Sequence, residues 1–97
     1  MADLYTHTSW RVKARRQDTF MARWCDWVDW SHREGLAAPA ILLRDVAEPR
    51  MFVSFGPWES LSTIQSWRPR RPSRAVARLS EVVESFEPRT FEVAARR

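Results

Sequence analysis

Apolar and polar positions alternate with period two from Tyr5 to Lys13. Thr6, Thr8, Trp10 and Val12 take one face, and Tyr5, His7, Ser9 and Arg11 the other. This spacing predicts a strand. Neither face is plainly polar, which suits a sheet covered on both sides. Gln17 to Glu34 switches to helical period, with Phe20, Met21, Trp24, Trp27, Val28 and Ser31 on one stripe. Asp18 can cap this helix or complement its dipole, and Gly35 is suited to stop it. Ala40 to Val46 and Met51 to Phe55 read as two strands joined by the turn Ala47-Glu48-Pro49-Arg50. Ser60 can cap a short helix that runs to Trp67, and Pro69 and Pro72 prevent its continuation. A further helix is expected from Ser73 to Phe86, with Ala75, Val76, Leu79, Val82, Val83 and Phe86 as its stripe. Arg89 to Ala94 is then a last strand.

The order is strand, helix, strand, strand, helix, helix, strand. It defines an α+β chain on the ferredoxin-like βαββαβ plan, with a four-stranded antiparallel sheet and a split second helix. At 97 residues, 1–97 is one domain. Helices cover one face of such a sheet. Ile41, Leu42, Leu43, Met51, Phe52, Val53, Phe55, Phe91 and Val93 offer apolar side chains to both faces, and monomers rarely leave such a patch open. A homodimer with the sheets face to face is expected. The contrary reading, a monomer with a semi-polar second face, draws on Thr6, Thr8, Ser54, Thr90 and Glu92.

Composition narrows the chemistry. A formal charge of +4 permits an anionic partner without requiring one. Cys25 is the only cysteine, so neither an internal disulfide nor a thiolate metal cluster is available, and its thiol reads as buried and inert. The chain lacks clustered metal ligands and a Gly-rich phosphate loop; Gly35 and Gly56 are its only glycines. No metal and no cofactor is expected. Without a membrane span or a secretory leader, the expected location is the cytoplasm. RNA-recognition domains share the βαββαβ plan, but Phe52-Val53-Ser54-Phe55 matches only the tail of their third-strand signature. No nucleic-acid partner is expected. Six tryptophans remain to be explained, as core, interface or aromatic-ligand pocket.

From Tyr5 to Ala94 the chain resembles the antibiotic biosynthesis monooxygenase family, small dimeric α/β-barrel proteins. The pieces that carry the resemblance are Trp10-Arg11-Val12-Lys13, Trp24-Cys25-Asp26-Trp27, Leu43-Arg44-Asp45, the run Phe52 to Ser60, Ile64-Gln65-Ser66-Trp67-Arg68, and Ser85 to Phe91. Many members of that family act on bulky aromatic substrates without a cofactor. Its haem-degrading branch uses an Asn on the first strand, a Trp ending the short helix and a His on the next helix. Here His7 stands at the Asn position, Trp67 fits the Trp, and the His position falls near Ala77. Haem degradation is therefore not expected. The branch that oxidises polycyclic polyketides pairs the same Trp with an Asn, and this chain contains no Asn.

The resemblance implies a cofactor-independent monooxygenase taking a small hydrophobic aromatic substrate, of polycyclic or polyketide type, and dioxygen. Alternatives are cyclase or isomerase chemistry in the same pocket, or a non-catalytic dimer that binds a hydrophobic ligand. Trp67 either donates its indole N–H to a substrate oxygen or plugs the gap between short helix and sheet. His7 is the candidate base, because imidazoles titrate near neutral pH; otherwise it meets backbone or the dimer partner. Trp24, Trp27 and Phe20 form either core or the wall of a pocket between helix and sheet. Phe52, Phe55 and Trp58 join that candidate lining, and Trp30 reads as its rim or as an interface residue. Among the cations between Arg68 and Arg78, Arg68 and Arg71 are the candidates to hold an anionic oxygen. Trp67, Trp24, Trp27 and His7 are expected to border one cavity.

Overall fold

The computed structural model describes residues 3–97; Met1 and Ala2 of the domain read from the sequence lie outside them. Four strands and three helices follow in the order β1 (Leu4–Val12), α1 (Gln17–Arg33), β2 (Ile41–Arg44), β3 (Met51–Trp58), α2 (Leu61–Trp67), α3 (Ser73–Glu81) and β4 (Val83–Glu92). A single 3-10 turn, Arg68–Arg70, separates α2 from α3. The strands form one antiparallel sheet in the order β2-β3-β1-β4. This is the ferredoxin-like architecture with β1 and β3 central.

Local chemistry sets most boundaries. Gly35 follows the end of α1 with φ of 117°, a conformation that L side chains rarely adopt. A Cβ there would lie 2.5 Å from the Thr63 methyl, so the stop also lets α1 approach α2. Ser60 accepts the Thr63 N–H at 3.2 Å and caps α2. Asp18 lies in the first turn of α1 and complements its dipole, because the cap position falls on Arg16. β2 ends at Arg44, earlier than expected. Asp45 Oδ1 accepts the N–H groups of Ala47 and Glu48 at 2.8 and 3.1 Å and folds the chain into the hairpin turn.

Two further element boundaries require correction. β3 continues through Gly56-Pro57 to Trp58. Its last three residues have passed the end of β2, so the N–H that Pro57 lacks is not needed for the ladder. The larger correction is at the last helix, which stops at Glu81, with β4 starting at Val83. The register slips between Arg11 and Val12, where Val12 pairs with Val83 and Arg11 with Ser85, leaving Glu84 as the extra residue. The bulge puts Val83 and Phe86 on one face although they are three apart. That spacing imitates a helix. Pro88 is tolerated within β4 because β4 is an edge strand.

The inner sheet face carries Thr6, Thr8, Trp10 and Val12 from β1, and Phe52, Ser54, Gly56 and Trp58 from β3. Helices α1, α2 and α3 cover it. The core has two centres. One gathers Trp10, Val12, Phe20, Phe52, Leu79 and Val82; the other gathers Leu36, Trp58, Ile64 and Trp67. Trp27, Val28 and Ala40 pack against both. Cys25 is exposed, not buried, since it falls off the α1 stripe. The opposite sheet face has no helix. There His7 packs between Phe55 and Phe91, at centroid distances of 4.9 and 5.4 Å. Ile41, Leu43 and Phe91 stand exposed around it. No helix among the described residues is long and apolar enough to cross a membrane.

Candidate functional site

A cavity of about 50 Å³ lies between the helices and the sheet, where the two core centres meet. Trp24, Trp27, Trp58 and Trp67 of the sequence-derived candidates line it. Phe55 also borders it, through its main chain, because its ring lies on the opposite face against His7. Trp10, Thr6, Thr8, Ser31 and Ser54 complete the polar and aromatic lining.

Hydroxyls hold three of the indoles in place. Trp10 Nε1 donates to Ser54 Oγ at 3.0 Å, Trp58 Nε1 to Thr6 Oγ1 at 3.0 Å, and Trp67 Nε1 to Ser31 Oγ at 3.1 Å. Ser31 in turn donates to the Trp27 carbonyl at 2.9 Å. Each buried N–H thus has a partner, as burial requires. The pairing also fixes which groups can still act on a ligand. The Trp67 N–H is committed to Ser31. The Ser54 hydroxyl accepts from Trp10 and keeps its own proton for a further acceptor. Thr8 is the cross-strand partner of Ser54 on the same inner face, and both line the cavity. Two hydroxyls therefore stand side by side over one space.

His7 does not reach this cavity. It pairs with Phe55 and lies on the outer sheet face, one residue out of phase with Thr6 and Thr8. The expectation that it borders the cavity with the tryptophans is corrected, and with it the role of base. Its Nδ1 is buried without a partner on that outer face. Phe20 and Phe52 are core, packed on each other at 5.1 Å, and do not line the cavity. Nor do the two arginines. Arg68 donates to Thr90 Oγ1 at 2.7 Å, and Arg71 lies over the Trp67 ring at 5.6 Å while donating to the Arg68 carbonyl. Among the described residues, no titratable side chain lines the cavity. Among the described residues, no three His, Cys, Asp or Glu side chains are grouped to hold a metal ion.

Sequence reasoning missed Trp10 and the four hydroxyl residues. The alternation in β1 put Thr6, Thr8 and Trp10 on one face, but nothing in it says that the helices cover that face. Trp67→Phe tests the hydroxyl pairing. It should lower stability by at least about 1 kcal/mol, the net value of one hydrogen bond, with the smaller ring adding to the loss. An unchanged urea midpoint would show that the bond to Ser31 contributes nothing.

A ferredoxin-like α+β sheet with a cavity under its helices defines the class. No protein-family model and no curated protein matches the sequence. Solved structures do match. One is a mutant of SnoaB, a cofactor-independent oxygenase from Streptomyces nogalater, with a TM-score of 0.88 at 11% identity over 99% of this chain and 97% of that one. A proposed antibiotic biosynthesis monooxygenase from Deinococcus radiodurans gives 0.80 at 13% identity, covering 97% of this chain and 95% of its own. Another from Bordetella bronchiseptica gives 0.79 at 13% identity, covering 98% of this chain and 100% of its own. The chain therefore has the fold of the antibiotic biosynthesis monooxygenases.

Proposed function

We propose that the protein is a cofactor-independent monooxygenase of aromatic substrates, working in the cavity beneath the helices. The observation that carries this reading is the likeness over nearly the whole chain to a cofactor-independent oxygenase. The lining supports it. Indole walls suit a flat aromatic ring, and the Thr8 and Ser54 hydroxyls can donate to an oxygen on which negative charge develops.

The substrate class follows from what the lining lacks. With no titratable group at hand, the substrate must give up its proton to water. A polycyclic phenol or anthrone does so readily, because its anion is delocalised. The anthrone carbanion gives its electrons to dioxygen and forms a C–O bond. The remaining C–H proton then leaves as the O–O bond breaks, giving a ketone and water. The substrate supplies all four electrons, so one oxygen atom enters the product and the other leaves as water. The protein orients the ring and stabilises the enolate oxygen. Cyclase or isomerase chemistry would need a base at the reacting carbon, and the lining offers none.

An anthrone incubated under ¹⁸O₂ tests the reading. The expected product is an anthraquinone with one ¹⁸O, formed much faster than without protein. A rate equal to autoxidation would reduce the protein to a binder.

The open sheet face belongs to the same reading. Ile41, Leu43 and Phe91 are exposed beside Phe55 and His7, and a second copy would cover them face to face. Light scattering should give about twice the chain mass of 11.5 kDa. Phe91→Glu should shift the protein to monomer. A wild-type monomer at micromolar concentration would overturn the dimer.

A further inference from the structure

The inner cavity is far smaller than the roughly 300–1,000 Å³ of small-molecule sites, so a polycyclic ligand needs more room than it offers. The Trp27 indole marks where that room lies, because it borders three hollows at once. One is the inner cavity of about 50 Å³. A second, of about 40 Å³, lies under α3 beside Val76 and Phe86. The third is an outer cleft of about 300 Å³ between α1 and α3.

That cleft is cationic and aromatic. Arg23, Arg33, Arg74 and Arg78 line it with Trp27 and Trp30, and Asp26 is the one acid in its lining. Arg23 is largely committed. Its Nη1 donates to the Arg78 carbonyl at 2.6 Å and to Glu81 at 2.8 Å, while its Nε is buried without a partner. Arg33, Arg74 and Arg78 have no carboxylate within salt-bridge distance among the described residues. Three guanidiniums without a salt bridge, against one carboxylate, thus line a cleft with two indoles 5.6 Å apart. Guanidinium forks fit a planar oxyanion, and indole faces fit a flat ring. Trp27 is also held by packing alone, against Trp30 and Trp67. Trp10, Trp58 and Trp67 are each tied by the indole N–H to an internal hydroxyl, whereas Trp27 is half-buried and makes no such bond.

We propose that the cleft between α1 and α3 binds the anionic end of a planar aromatic ligand, and that Trp27 is the movable partition joining it to the inner cavity. The partition rests on the reading of that cavity as the substrate site. The anion site stands on its own arginines and is tested without turnover.

The probes are anthraquinone-2-carboxylate and its neutral carboxamide, followed by tryptophan fluorescence in the absence of an oxidisable substrate. At low salt the carboxylate should bind about tenfold more tightly than the amide, from two guanidinium contacts. Added salt should shrink that difference. Arg74→Gln with Arg78→Gln should abolish it and leave the amide unchanged. Trp27→Phe, a smaller partition, should speed association of both probes. Equal affinities for the two probes, or a carboxylate preference that survives the double substitution, would overturn the anion site. An unchanged association rate in Trp27→Phe would overturn the partition. Arginine-dependent binding of the carboxylate, in a protein that makes no labelled quinone, would uphold the cleft and sink the oxygenase reading.

Discussion

Ser54→Ala is expected to lower turnover of an anthrone about a hundredfold, the usual cost of one lost oxyanion donor, with KM changed far less. Ser54 is 8% exposed, lines the cavity, and retains a hydroxyl proton after accepting from Trp10. The substitution also deprives the Trp10 N–H of its partner, which costs about 1–3 kcal/mol of stability. Thr8→Val separates the two effects. It keeps the shape at Thr8 and the Trp10–Ser54 bond, yet removes the neighbouring donor, so turnover should fall while the unfolding midpoint holds. Normal turnover in both folded variants would remove the hydroxyl pair from the mechanism. His7→Ala should leave turnover per chain unchanged, since His7 lies on the other face. The rate should rise with pH along the ionisation of whichever substrate is used, and two phenols of different acidity should give two different profiles. One common profile for both would point to an ionising group of the protein.

Trp58→Ala should be the most damaging single substitution for stability. Trp58 is 1% exposed, packs on Trp67 at 5.0 Å and donates to Thr6 at 3.0 Å. Removing so large a buried ring costs about 3–5 kcal/mol, a large part of the 5–15 kcal/mol that typically holds a domain together. Thermal melting should drop by roughly 20 °C. Trp58→Phe should recover most of the loss, the remainder being the bond to Thr6. A melting point within a few degrees of wild type for Trp58→Ala would mean that the end of β3 and α2 do not unfold with the rest.

Helix α1 was legible because its buried stripe repeats at helical spacing and Gly35 ends it. Ser60 and Pro69 marked α2 in the same way. The bulge at Glu84 was not legible, because it lets a strand carry apolar residues three apart. Of the four indoles of the cavity wall that came from the sequence reading, Trp24, Trp27 and Trp67 sit on helices that were correctly assigned, whereas Trp58 sits on the end of β3, beyond the strand read from the sequence. His7 failed for a different reason. Alternation separates the two faces of β1 but does not say which one the helices cover, and a shift of one position carries a side chain from cavity to outer face.

What the sequence determined, then, was the order of elements, the caps that bound them, and an excess of indoles that a small core had to place. Tertiary structure alone decided which hydroxyl takes which indole N–H, because Trp10–Ser54, Trp58–Thr6 and Trp67–Ser31 join residues far apart in the chain. It also decided that no titratable side chain among the described residues lines the cavity and that the arginines of α1 and α3 share one cleft. Both depend on how helices pack across a sheet, and spacing along one element does not encode the face presented to another.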